Sequence, residues 1–117
     1  MNEFLYHYKA LVTDVYDGDT ITVEIDVGFD IQFKQQKIRL NRINAPEVKG
    51  RSKKKGIASR DYLRSLILNK EIILQTIKDR KEKYGRYLGE VFLEQKKSFI
   101  NINDELVKNG FALYKKY

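Results

Sequence analysis

The stretch "RLNRINAPE", Arg39 to Glu47, holds two arginines, two asparagines, the only proline of the chain and one carboxylate. It closes a segment in which Ile38 and Leu40 alternate with polar residues. Pro46 fixes its own φ and pushes Ala45 towards extended geometry, so a strand running into this stretch leaves its ladder at a defined angle. Glu47 is then held at a strand exit, where rigid backbone meets solvent.

Outward from that point the hydrophobic period supplies the elements. In "TITVEIDV", residues 20–27, Ile21, Val23, Ile25 and Val27 share one face and Thr20, Thr22, Glu24 and Asp26 the other. Before it, Leu11, Val12 and Val15 lead into "YDGDT", whose Asp-Gly pair signals a tight turn. After a turn near Gly28 the period of two resumes through Phe29, Ile31, Phe33, Ile38 and Leu40, which predicts an antiparallel meander of three strands. "KGRSKKKG" packs Lys49, Arg51, Lys53, Lys54 and Lys55 together and reads as a mobile, solvated loop.

From Ile57 to Leu68 the period changes, placing Tyr62, Leu63, Leu66 and Ile67 on one face of an amphipathic helix. "EIILQTI", residues 71–77, reads as a buried strand, "KDRKEKYGR" as a charged turn and "YLGEVFLE" as a further strand. Asn101 or Asn103 caps a short helix with Ile102, Leu106 and Val107 inward and Gly110 at its C-terminal stop, before a short extended "FALYKK". The order predicts a mainly β fold with helices. It fits a five-stranded OB-fold barrel with a helix after strand 3 and a short C-terminal helix, with residues 1–117 forming a single domain.

Composition narrows the function. With 23 Lys+Arg against 16 Asp+Glu the formal net charge is +7, which attracts polyanions, nucleic acid first among them. The absence of cysteine excludes disulfides, thiolate metal sites and a cysteine nucleophile. The single histidine, His7, leaves little room for a Ser-His-Asp triad and reads as a surface or packing residue. The N-terminal stretch lacks the pattern of a signal peptide and no apolar run reaches membrane-spanning length, so a soluble chain without a membrane partner is expected.

Three stretches could carry chemistry: "DGDT" (Asp17 to Thr20), "RLNRINAPE" and "KYGR" (Lys83 to Arg86). Singly each has an ordinary reading as a turn, a strand edge or a hairpin loop. Together they offer carboxylates for a hard cation, arginines for an anion and a glutamate that could handle a water.

In this order, followed by "LVKNGFA", they resemble the staphylococcal nuclease (thermonuclease) family across nearly the whole chain. The resemblance implies an OB barrel that cleaves phosphodiester bonds of DNA and RNA with calcium, leaving 5′-hydroxyl and 3′-phosphate ends. It implies Asp19 as a calcium ligand, with Asn44 at a ligand position that is usually aspartate and Ala45 offering its backbone carbonyl. Arg39 and Arg86 match phosphate-binding arginines, and Glu47 the residue that positions or deprotonates the attacking water. Lys83 and Tyr84 match residues lining the nucleotide-phosphate site, and Tyr114 an aromatic near the bound base. Asn44 keeps a carbonyl oxygen but brings no charge, so calcium should bind more weakly.

Single strands are the expected substrate of such a groove, with Tyr84, Tyr87 and Tyr114 as stacking candidates, and a monomer is expected. The stretch between "DGDT" and Arg39 is longer than in the archetype, which implies an extended hairpin beside the site. The competing reading is a non-catalytic OB module that binds nucleic acid or a protein partner.

Overall fold

The computed structural model describes residues 5–81 and 85–116, leaving aside the side chains of 78–80. The first three strands form the expected meander: β1 (His7–Asp17), β2 (Thr20–Asp26) and β3 (Gln32–Leu40), with antiparallel β1–β2 and β2–β3 pairs. The chain continues through β4 (Ile43–Asn44), a single 3-10 turn (Gly50–Ser52) and α1 (Lys53–Ile67). Then come β5 (Glu71–Lys81), β6 (Tyr87–Gln95), β7 (Ser98–Asn101), α2 (Ile102–Lys108) and β8 (Leu113–Tyr114).

β5 lies antiparallel to both β1 and β6, while β3 and β6 run parallel. The circuit β1-β2-β3-β6-β5 therefore closes into a mixed five-stranded barrel, the OB-like architecture expected. Closure needs Gly89 on β6. A Cβ there would come 2.8 Å from Leu74 Cδ1 and 2.9 Å from Ile38 Cγ2. The barrel core is built from the inward residues of the alternating strands, Val12, Ile21, Val23, Ile38, Leu40 and Leu74 among them, all fully buried. Helix α1 adds Leu63 and Ile67, and α2 adds Ile102 and Leu106. Each such side chain contributes about 1.5–3 kcal/mol on removal from water.

Four local expectations need correction or completion. The lysines Lys53–Lys55 form the first turn of α1 and not a loop. Lysine is a good helix former, and an entirely solvent-facing turn has no apolar residue to reveal its period. Phe29, Ile31 and Phe33 do not face the core; Phe29 is 95% exposed. Phe29 and Asp30 take positive φ at the tip of the β2–β3 hairpin, while Phe33, paired with Ile25, lines a surface groove and is half-exposed. Strand β7 was not foreseen. It pairs with β6 through a two-residue loop, Lys96–Lys97, whose φ values of 45° and 72° match a type I′ turn made without glycine or asparagine. Asn101, not Asn103, caps α2, its side chain accepting from Asp104 N at 3.0 Å.

Asn103 is instead fully buried, accepting from Val91 N at 3.0 Å and donating to the carbonyls of Asn41 at 2.9 Å and Gly89 at 3.0 Å. Beside it Glu90 is the acceptor for Arg42 Nε (2.9 Å), Arg42 Nη2 (2.7 Å), Asn41 Nδ2 (3.0 Å) and Asn101 Nδ2 (3.0 Å). This network ties the turn after β3 to β6 and the start of α2. A short β4–β8 ribbon, Ile43↔Tyr114 and Asn44↔Leu113, fixes the same turn from its other side. Among the described residues no helix is long and apolar enough to cross a membrane.

Candidate active site

The turn between β1 and β2 places Asp17, Asp19 and Thr20 at one end of the barrel. Asp19 N donates to Asp17 Oδ1 at 3.1 Å, the Asx pattern expected of an Asp-Gly-Asp turn. Gly18 lets that turn press inwards, since a Cβ there would stand 2.7 Å from Ala45 Cβ and 2.8 Å from Ser59 Cβ. The segment after Arg39 folds back on it. Ala45 N donates to Asp19 Oδ2 at 2.7 Å, and Arg39 Nη2 lies 3.2 Å from the same oxygen.

Arg39 is a hub beneath the surface, only 6% exposed. Its Nη1 donates to the carbonyls of Leu40 and Ile43, both at 3.0 Å, and its Nη2 to Asn44 Oδ1 at 3.1 Å. One guanidinium nitrogen thus stands between Asp19 and Asn44, the two side chains expected to face a cation. On the other side of Asp19, Thr20 Oγ1 donates to Asp19 Oδ1 at 3.3 Å and accepts from Arg86 Nη1 at 3.0 Å. Asp19, Arg39, Asn44, Ala45 and Arg86 therefore form one connected polar cluster.

Above it opens a cleft of about 600 Å³ lined by Asp14, Tyr16, Asp17, Thr20, Thr22, Lys37, Glu47, Val48, Lys49 and Arg86. Glu47 and Arg86 reach this shared space; Arg39 and Asp19 lie under its floor. Burial pushes the Asp17 carboxyl up to about 7, assisted by the hydrogen bond and negative charge of Asp19.

The backbone of Glu47 is fixed from behind, where Ser52 Oγ donates to its carbonyl at 3.0 Å. Gly56 in α1 packs against the same peptide, so close that a Cβ would overlap the Glu47 carbonyl. Ser59, one turn further along, donates to Phe111 O at 2.7 Å and anchors the helix to the chain end.

Lys83 and Tyr84 lie outside the described residues. Tyr114 is not among the cleft residues; its hydroxyl donates to Asp104 Oδ1 at 2.9 Å, and Arg42 lies 5.8 Å from its ring centroid. Tyr87 lines a separate apolar groove with Tyr6, Tyr8 and Phe33. Among the described residues the aromatic that borders the cleft is Tyr16, half-exposed, which sequence reading missed together with Lys37. The signal that would have found Lys37 is the polar face of β2 carried across the ladder, because Thr22 pairs with Asp14 on β1 and with Lys37 on β3. No group of three or more His, Cys, Asp or Glu side chains is placed to hold a metal among the described residues.

Comparison with known proteins agrees with this architecture. The model of a family described as staphylococcal nuclease homologue matches residues 37–117. Thermonuclease of Staphylococcus hyicus is 33% identical, the alignment covering 94% of this chain and 60% of that protein. Endonuclease YhcR of Bacillus subtilis is 34% identical over 90% of this chain and 9% of its own length. An uncharacterized protein of Methanocaldococcus jannaschii, MJ1439, is 30% identical over 91% of this chain and 58% of its own. The chain thus spans at most about three fifths of these relatives. The barrel, the ordered stretches on one cleft and the matched residues agree: the chain belongs to the staphylococcal nuclease homologue family.

Proposed function

We propose that the chain is a nuclease domain that hydrolyses phosphodiester bonds of DNA and RNA with little sequence preference. The observation that carries the proposal is the meeting of Glu47 and Arg86 across one open cleft, with Thr20 in its lining and Asp19 bonded beneath. Glu47 is exposed at a rigid strand exit and takes the proton of the attacking water. Arg86 donates to the phosphoryl oxygens as charge builds on them, an interaction worth a few kcal/mol when preorganised. Arg39 holds Asp19 and Asn44 in register and contacts phosphate itself by giving up Asn44 Oδ1. Lys83 and Tyr84 are assigned to the nucleotide-phosphate site by family resemblance, and Tyr114 to a base further out.

Calcium is the proposed cofactor. The donors that the family resemblance assigns are all oxygens, the Asp19 carboxylate, the Asn44 amide and the Ala45 carbonyl, and with the Asp17 carboxylate near Asp19 their chemistry fits a hard cation. Asp19 Oδ2 already accepts from Arg39 and Ala45, and Asn44 is neutral, so this is a weak site. When bound, calcium supplies Lewis-acid polarisation of the phosphate and a place to orient water.

The test is cleavage of a labelled single-stranded DNA oligonucleotide across a calcium titration, with EDTA and Glu47→Gln as controls. Calcium-dependent cleavage to 5′-hydroxyl and 3′-phosphate ends, lost in the variant, supports the reading. One observation favours the alternative of a non-catalytic binding module, namely the burial of Arg39 among partners of its own chain. Binding of the oligonucleotide without cleavage at any calcium level would select that module.

A further inference from the structure

Across the outer face of the β1–β2–β3 meander the residues fall into two rows. The first is Asp17–Thr20–Arg39, from the pairs Asp17↔Thr20 and Thr20↔Arg39. The second is Asp14–Thr22–Lys37, from Asp14↔Thr22 and Thr22↔Lys37. Thr20 and Thr22 are two residues apart on one strand, so the rows are about 7 Å apart and face the same way. Asp14, Thr22 and Lys37 line the same cleft as Glu47 and Arg86, and Tyr16 joins them from β1. The proposed chemistry accounts for the first row and leaves the second without a task.

We propose that the second row is a subsite for the nucleotide next to the scissile phosphate on a single-stranded substrate. This rests on the nuclease reading for the position of the scissile phosphate. Lys37 is exposed and forms no ion pair within 4.0 Å among the described residues, and it takes the neighbouring phosphate. Tyr16 is half-exposed with no ring partner among the described residues, and it offers a face on which the base stacks. Asp14 fixes the polarity. Its carboxylate repels phosphate from the β1 side, so the backbone runs over β3 and the base over β1. The spacing of the rows is about that of one extended nucleotide. Stacking on an aromatic side chain tolerates every base, in keeping with low sequence preference.

The experiment measures binding, by fluorescence anisotropy, of a labelled 12-nucleotide single-stranded DNA in EDTA, so that binding is read without turnover. Tyr16→Ala should weaken binding about tenfold and leave its salt dependence unchanged, and Tyr16→Phe should retain affinity. Lys37→Gln should weaken binding and lower the salt slope by about 0.7, the value for one phosphate contact on a single strand. Photocrosslinking of a 5-iodouracil oligonucleotide to the unaltered protein should label Tyr16.

Wild-type affinity in Tyr16→Ala and Lys37→Gln, or a crosslink that maps away from β1 to β3, overturns the subsite. Equal losses in Tyr16→Phe and Tyr16→Ala overturn the stacking role. The two proposals fail separately. Tyr16- and Lys37-dependent binding without calcium-dependent cleavage sinks the nuclease reading and leaves a binding row. Cleavage with no effect of either residue on affinity sinks the subsite alone.

Discussion

Gly56 of α1 lies against the peptide of Glu47 so closely that a Cβ would overlap the carbonyl and come 2.8 Å from Val48 N. The helix face thus sets where the glutamate backbone stands. A methyl group at this position has no flexible neighbour to displace, because what it meets is backbone. Gly56→Ala should therefore move Glu47 and cost about 1–3 kcal/mol through overpacking. A displacement near 1 Å is enough to lower turnover about 100-fold. Oligonucleotide affinity in EDTA should stay within a few-fold of wild type. Thermal melting, binding and initial rates on the same preparation check this, and equal turnover by variant and wild type would refute it.

Asp19 and Arg39 form a buried ion pair at 3.2 Å whose Arg39 Nη2 also reaches Asn44. A carboxylate at position 44 would add a second negative partner beside Asp19, both to that guanidinium and to a divalent cation. Asn44→Asp should raise calcium affinity about tenfold or more, since affinity in oxygen sites follows ligand charge. Isothermal titration calorimetry reads this directly. Arg39→Met should do the opposite to the fold. It leaves Asp19 buried without its cation, a loss of about 3–5 kcal/mol in urea denaturation.

These contacts mark what the sequence conveys. The alternation in "TITVEIDV" was enough to place Ile21, Val23 and Ile25 in the core and the threonines on the opposite face of β2, because a period of two is a local property, but it did not reveal that Thr20 is buried there. The same alternation misled at Phe29, Ile31 and Phe33, which are exposed, since it does not tell whether another element covers the face of a hairpin. The ordered stretches placed Glu47 and Arg86, which the structure brings to one cleft. They did not reveal that Arg39 sinks beneath it, because its partners Asp19 and the carbonyls of Leu40 and Ile43 are set by tertiary closure. Arg42 and Glu90, 48 residues apart, carried no sequence signal of their pairing.

The Asp17 carboxyl has its pKa pushed up to about 7, first by burial and then by the bond and charge of Asp19, from an ordinary value of 3.8. The folded state therefore binds this proton more tightly than the unfolded state between those values. By linkage, the group's contribution to stability declines as pH rises from about 4 to about 7 and is flat above that. Asp104 is shifted the other way. Burial pulls its pKa up, but its bonds from Arg42 and Tyr114 prevail and lower it, so it acts only below its ordinary range. In metal-free buffer, urea denaturation at pH 5 and pH 8 should show the higher stability at pH 5 for this group. Asp17→Asn should flatten the difference; a variant with the wild-type pH dependence would remove Asp17 as its source.

Glu90 accepts four hydrogen bonds, two from Arg42 and one each from Asn41 and Asn101, with its side chain only 8% exposed. Its charge and its acceptor capacity are both in use. Glu90→Gln keeps the shape but turns one acceptor into an NH₂ group that faces donors, while Glu90→Ala leaves all four donors without their acceptor. Removing one partner of a buried pair costs about 3–5 kcal/mol, and the half-exposed Arg42, which can turn to water, places both variants at the lower end of that range. Arg42→Ala should rank with them, because it leaves the Glu90 carboxylate buried with two asparagine donors and no cation. The network holds the turn that leads from β3 to Asn44 and Glu47, so loss of Glu90 should also lower turnover at temperatures where the protein is still folded. Urea denaturation of the three variants with rate measurements well below their melting points checks the ranking. An Arg42→Ala protein far more stable than Glu90→Ala would show that the two asparagines alone compensate the buried carboxylate.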